Sequence, residues 1–186
     1  LDVSALVAND FFGASVSLSG AQLAVGARQD DGFGNTTGNA GAVYLFNIPF
    51  TAPALAGIIG KGYTGTGDFN VAALEAGDTF GDSVSLSGAQ LAVGARQDAG
   101  ATNAFTLAGA VYLINNPFTT PALAGIIGKG YVGPGNFDVS ALEAFDVFGS
   151  AVSLSGTQLA VGAPIDAGAG NTTSDAGAVY LFNNPF

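Results

Sequence analysis

The stretch Ser15-Val-Ser-Leu-Ser-Gly-Ala-Gln-Leu-Ala-Val-Gly-Ala27 reads as a β-hairpin. Val16 and Leu18 alternate with serines at the period of a half-buried strand. Gly20-Ala21 has glycine first, the pattern of a two-residue type II′ turn. Gln22–Ala27 then runs back antiparallel. The hairpin is not unique. Val16–Gly20 recurs at Val84–Gly88 and Val152–Gly156, a spacing of 68 residues. Phe12-Gly13, Phe80-Gly81 and Phe148-Gly149 keep that spacing, and so do Ala40-Gly41, Ala108-Gly109 and Ala176-Gly177. Organisation therefore follows from the repeat and not from chain length.

Working outward from the hairpin, a polar, glycine-rich loop covers Arg28 to Asn39. The run Gly41–Phe46 is apolar on both faces, which predicts a third strand covered on both sides. Ala54–Lys61 reads as a fourth strand, bounded by Pro53 and by Gly62, Gly65 and Gly67. Val71–Ala76 and Val139–Ala144 fit at most a helical turn. Small residues dominate the first two strands and bulky ones the last two, matching a blade that is crowded inside and splayed outside. The fold class expected is all-β, with tandem four-stranded antiparallel blades of the β-propeller type. A β-solenoid is the alternative. The repeats are 1–68, 69–136 and 137–186. The last lacks its final strand, because Thr51–Asp68 and Thr119–Asn136 have no third counterpart. Ends falling at two connectors, with no signal-peptide pattern at Leu1-Asp2-Val3, predict a section of a longer array.

Composition removes several chemistries. The 186 residues include no Cys, Met, Trp or His, and 14 acidic residues outweigh 4 basic ones for a net charge of −10. Imidazole bases and thiolate nucleophiles are thereby absent. Nucleic acid is disfavoured as a partner, since phosphate binding needs clustered Lys or Arg. No apolar run approaches the roughly 18 residues of a membrane span.

The loop after the second strand holds the candidate ligands: Asp30, Asp31 and Asn35 in the first copy, Asp98 and Asn103 in the second, Asp166, Asn171 and Asp175 in the third. Calcium takes six to eight oxygen ligands from such groups. The same residues also build turns, Asp and Asn bonding the backbone while Gly takes positive φ. Both readings stay open. Asn35-Thr36-Thr37 and Asn171-Thr172-Thr173 match the glycosylation pattern. Asp10, Asp78 and Asp146 precede each Phe-Gly and are expected to accept backbone N–H bonds. Glu75 and Glu143 recur, but Val7 replaces them in the first copy, which argues against a shared catalytic duty. Three similar loops without one distinctive pocket predict that the chain is not an enzyme. Tyr44, Phe46, Tyr112, Tyr180 and Phe182 are read as core, and Phe50, Phe118 and Phe186 as plugs between units.

Phe148-Gly149, Leu159-Ala-Val-Gly-Ala-Pro164 and Gly177-Ala-Val-Tyr-Leu-Phe182 together resemble the FG-GAP repeat of integrin α-subunit propellers and long bacterial surface proteins. Arg28 and Arg96 stand where the third copy has Pro164. The resemblance implies a non-catalytic extracellular or cell-surface structural and adhesive module, part of a filament or an array. It alternatively implies an integrin-like propeller that binds protein or glycan, with Ca2+ in its loops. Expected partners are further copies of the repeat, by self-association or along the chain, and a surface protein or glycan. The family's calcium loop between the first two strands has no counterpart here, because Ser19-Gly20-Ala21-Gln22 is too short and carries no carboxylate.

Overall fold

The computed structural model describes residues 3–47, 52–168 and 170–186. Its strands are β1 (Phe12–Ser19), β2 (Gln22–Ala27), β3 (Ala42–Asn47), β4 (Ala54–Gly60), β5 (Phe69–Asn70), β6 (Phe80–Ser87), β7 (Gln90–Ala95), β8 (Ala110–Asn115), β9 (Ala122–Gly128), β10 (Phe137–Asp138), β11 (Ala151–Ser155), β12 (Gln158–Ala163) and β13 (Ala178–Asn183). They form three sheets in sequence order, β1 to β5, β6 to β10 and β11 to β13. The fold is all-β and built of propeller-type blades, as the alternation predicts. Its one helical segment among the described residues is a 3-10 turn at Phe33–Asn35.

Each blade is an antiparallel meander, with Val16 opposite Val25, Val25 opposite Tyr44 and Tyr44 opposite Ile58. Gly20 has φ 58° in the predicted two-residue turn. One feature departs from the sequence reading. A two-residue fifth strand, β5 or β10, pairs in parallel with the outer strand, extending each of the first two sheets just beyond the repeat boundary. Val71–Ala76 forms no helix; it carries a single turn in which Leu74 N donates to Val71 O, and Leu142 and Val139 repeat it. The apolar residues there are held by burial instead, since Val71 and Leu74 are almost wholly enclosed. Phe118 and Phe186 pack against the cores of the units as expected, whereas Phe50 lies outside the described residues.

The core lies largely between blades. One cluster joins Ala24, Val43 and Leu45 of the first blade to Val84, Leu86 and Leu91 of the second. Another joins Ala92, Val111 and Leu113 to Leu154 and Leu159. Strands β3 and β8 are accordingly buried on both faces, while β13 alternates between partly covered and exposed.

The Phe-Gly step makes the joint. A bulge between Phe80 and Ser83 breaks the β6–β7 register and turns Phe80-Gly81 toward the preceding blade. There Phe80 N donates to Ala40 O at 2.9 Å, forming a parallel bridge with Gly41. A β-carbon on Gly26 would stand 1.9 Å from Gly81 O, and one on Gly41 2.0 Å from Phe80 O. Only glycine admits this approach. Gly94 and Gly109 receive Gly149 and Phe148 in the same way. Serines lock the register from the side. Ser15 Oγ donates to Gly81 O, while Ser17 Oγ accepts from Leu86 N; Ser83 and Ser85 repeat both bonds to the third blade.

Candidate functional site

The polar centre of each blade is one carboxylate. Asp30, 2% exposed, follows β2 at the start of the loop. Its Oδ1 accepts from Gly32 N at 2.8 Å, closing an Asx turn, and its Oδ2 accepts from the Tyr44 hydroxyl at 2.6 Å. Tyr63, from the turn after β4, places its hydroxyl 2.9 and 3.0 Å from the two oxygens. Strand β3 aims Tyr44 inward because its register pairs Tyr44 with Val25, next to the loop that delivers Asp30. In the second blade Asp98 receives Gly100 N, Tyr112 and Tyr131 in the same geometry. In the third, Asp166 receives Gly168 N and Tyr180. The cluster thus recurs three times, twice with two tyrosines.

A buried carboxylate with several donors is the arrangement that offsets its desolvation. Burial still raises the Asp98 carboxyl above its ordinary value, against the pull of the Tyr112, Tyr131 and Gly100 donors. Burial beside these carboxylates also pushes the hydroxyls of Tyr44, Tyr63, Tyr112, Tyr131 and Tyr180 well up, so they remain protonated donors.

A second recurring acid sits beneath. Asp10, Asp78 and Asp146 each accept a backbone N–H three residues back, from Val7, Glu75 and Glu143 at 2.6 to 2.7 Å. This is the structural role expected from sequence. Burial first, and the nearby Asp98 charge second, raise Asp78 to about 7. Burial likewise raises Asp10 and Asp146.

The other candidate ligands do not gather around the central carboxylate. Asp31 is half-buried and accepts Asn39 N at 2.7 Å. Asn35, Asn103 and Asn171 are exposed and adopt positive φ of 55°, 53° and 52°, each donating its N–H three residues back to Gly32, Gly100 or Gly168. Asp175 is also exposed with positive φ, at the position of Asn39. Asn103 Nδ2 bonds the Glu75 carboxylate. Among the described residues no three His, Cys, Asp or Glu side chains converge as a metal site. The geometry is that of turn residues, with Asn taking the left-handed region it tolerates. Asn35 and Asn171 are accessible at the two glycosylation triplets.

Sequence reasoning placed Tyr44, Tyr112 and Tyr180 in the core, left Tyr63 and Tyr131 unassigned, and missed what all five hydroxyls do. The signal was present. An Asp is followed 14 residues later by Tyr in every copy, and 33 residues later by Tyr in the first two. It also missed Asp82, which lies 3.1 Å from Arg28 Nη1 of the first blade and 3.3 Å from Arg96 Nε of its own. That ion cluster is specific to one joint, because Ser150 replaces Asp82 at the next.

A family model described as FG-GAP repeat matches three segments, residues 4–46, 74–114 and 140–182. No curated protein matches the chain. Each matched segment runs from the approach to the Phe-Gly plug through the hairpin and central carboxylate to the third strand.

Proposed function

Because the chain belongs to the FG-GAP repeat family, we propose that it is a non-catalytic structural and adhesive module of an extracellular or cell-surface protein. FG-GAP repeats indicate a β-propeller-type repeat module, and the blades have that form. The observation that carries the reading is the recurrence of one internally satisfied cluster, Asp30, Asp98 and Asp166 with their tyrosines. These carboxylates hold loops to blades through the backbone and tyrosine donors they accept. An array that repeats one shape supplies a multivalent surface, in which many weak contacts add up. No helix among the described residues is long and apolar enough to cross a membrane.

Antibody labelling of intact producing cells, compared with lysed ones, tests the location. Signal on intact cells is expected; signal only after lysis would overturn it. Beads bearing many copies should then adhere to cells or to a glycan surface where the free chain does not. Equal absence of binding by beads and free chain would remove the adhesive part.

One observation favours a second reading, a ligand-binding module. Phe33, in the first loop, is 63% exposed with its ring edge-on to Tyr63, and alanines stand at the equivalent positions 101 and 169. Calcium-stabilised loops belong to that reading. A ligand held by this loop would be lost in Phe33→Ala with folding unchanged, whereas a multivalent array would keep its adhesion.

A further inference from the structure

The chain has four basic residues, and two of them meet at a single acid in its middle. Lys61 and Lys129 stand apart, each donating its ammonium to a backbone carbonyl, of Ala72 and of Ser140. Arg28 and Arg96 instead share the Asp82 carboxylate, the first through Nη1 at 3.1 Å and the second with Nε at 3.3 Å. Arg28 reaches Asp82 across the joint between the first two blades. Arg96 turns back to it within the second blade, since the next joint carries Ser150 at the position of that acid.

Two cations on one anion leave a local surplus of one positive charge in a chain whose net charge is −10. The donors are under-used as well. A guanidinium presents N–H groups at Nε and at both Nη nitrogens. Arg28 hydrogen-bonds Asp82 through Nη1, and the approach of Arg96 Nε lacks the alignment of a hydrogen bond. Among the described residues, Arg28 Nε and Arg96 Nε are the only buried side-chain nitrogen or oxygen atoms without a hydrogen-bond partner. Buried polar groups are normally paired, so two such exceptions at one acid call for an explanation.

The cluster is also open to solvent on its cationic side. The Arg28 and Arg96 side chains are 32% and 36% exposed, whereas Asp82 is 8% exposed. This exposure is no consequence of a chain end, because Arg96, on the blade flanked on both sides, is as open as Arg28.

We propose that Arg28 and Arg96 together bind the carboxylate of a monoanionic ligand beside Asp82. Guanidinium groups match a planar carboxylate in bidentate pairs. One further negative charge cancels the surplus, whereas a phosphate dianion would exceed it on a chain that is already strongly negative. The site occurs once, because Pro164 stands at the arginine position of the third blade and Ala14 at the acid position of the first. A free organic acid and an acidic sugar offer the same carboxylate chemistry. The inference goes beyond the structural-module reading and does not depend on where cells place the protein.

Arg28 and Arg96 are the only arginines in the chain, so their two Nε–H signals in a nitrogen-15 NMR spectrum report the site directly. Titration with sodium acetate at constant ionic strength, with chloride making up the balance, is expected to shift both signals saturably. Glucuronate should shift the same two signals, more tightly than acetate where an acidic sugar is the ligand and equally where a free acid is. Ser150→Asp supplies an acid opposite Arg96. Ser150 N donates to Val147 O as Asp82 N does to Thr79 O, so the new carboxylate enters its joint as Asp82 does. That variant removes the surplus and should lose the acetate shifts while its melting temperature holds or rises. Asp82→Asn, which doubles the surplus, should tighten acetate binding severalfold, with melting curves verifying that it folds. No saturable shift with either acid overturns the proposal. So do shifts that persist unchanged in Ser150→Asp, or phosphate that saturates the same signals at lower concentration than acetate.

Discussion

The Tyr63 hydroxyl bonds the carboxylate of Asp30, 33 residues earlier, and so ties the outer-strand turn of a blade to the loop between its middle strands. Both groups are buried, at 4% and 2% exposure. Tyr63→Phe removes one donor to a charged acceptor and keeps the ring. Hydrogen bonds to charged groups are worth about 1.5–3 kcal/mol, and denaturant melts of the variant should show a loss in that range. Tyr131→Phe should cost a similar amount in the second blade.

Stability should fall as pH rises from mildly acidic to neutral. Asp78 has an ordinary value of 3.8 and is raised to about 7 in the fold, chiefly by burial and next by the Asp98 charge. The folded chain therefore binds this proton more tightly than the unfolded one. That stabilisation is complete below about pH 4 and disappears as pH passes 7. Asp98, Asp10 and Asp146 are raised in the same direction. The melting temperature should be higher at pH 5 than at pH 8, and Asp78→Asn, which still accepts from Glu75 N, should flatten the difference. A melting temperature that climbs from pH 5 to pH 8 would contradict this account.

Equivalent glycines should respond differently to alanine. In Gly94→Ala the new methyl meets the Gly149 carbonyl backbone, which forces the second joint open. A loss of at least about 2 kcal/mol is expected from overpacking of this kind. Gly162→Ala faces ordinary contact distance and should be neutral or stabilising by about 0.5 kcal/mol. The methyl at position 94 also stands 2.3 Å from Ser83 Oγ of its own blade, where the third copy has Ala151, so comparing the two melting curves in a Ser83→Ala background isolates the neighbouring blade as the cause.

Asp82→Ala should weaken the first joint by about 1 kcal/mol, since its side chain is nearly buried while Arg28 and Arg96 are about one-third exposed. The loss should shrink in high salt, where repulsion between the two remaining guanidinium groups is screened. A chemical denaturation series with and without salt reads both effects.

Millimolar calcium followed by chelator should leave the melting temperature unchanged. The oxygens of Asp30 and Asp98 already accept tyrosine and backbone donors, and Asn35 and Asn103 stand outside on turn positions. Reversible stabilisation by calcium would mean that these loops rearrange around the ion.

Much of the fold was legible because local patterning and tertiary structure agree. Ser15–Ser19 follows from alternation, Gln22–Ala27 from the turn before it, and the strand read at Ala54–Lys61, observed at Ala54–Gly60, from its bounding Pro53 and glycines; the period fixes their repetition. The short strand Phe69–Asn70 was not legible, since two residues carry no periodicity and its pairing depends on the neighbouring outer strand. The candidate loops were located correctly as segments. Their chemistry depends on which donors reach Asp30, and Tyr63 arrives from another turn. The serines of β1 read only as the polar face opposite Val16 and Leu18, yet Ser15 and Ser17 bond the next blade. A polar stripe and an inter-blade seam have the same sequence pattern when the bonds go to backbone.

The Phe-Gly step and the glycines that receive it also bear on how such a gene changes length. Each period brings its own donor half and its own acceptor half, so losing or gaining whole periods requires no compensating mutation. Excising 69–136 would set Phe148-Gly149 against Gly26 and Gly41, residues already shaped for that backbone. Arg28 alone would lose its partner, because Ser150 would replace Asp82. Recombination in units of 68 residues therefore preserves the Phe-Gly joint and its glycine sockets and breaks one ion pair between blades.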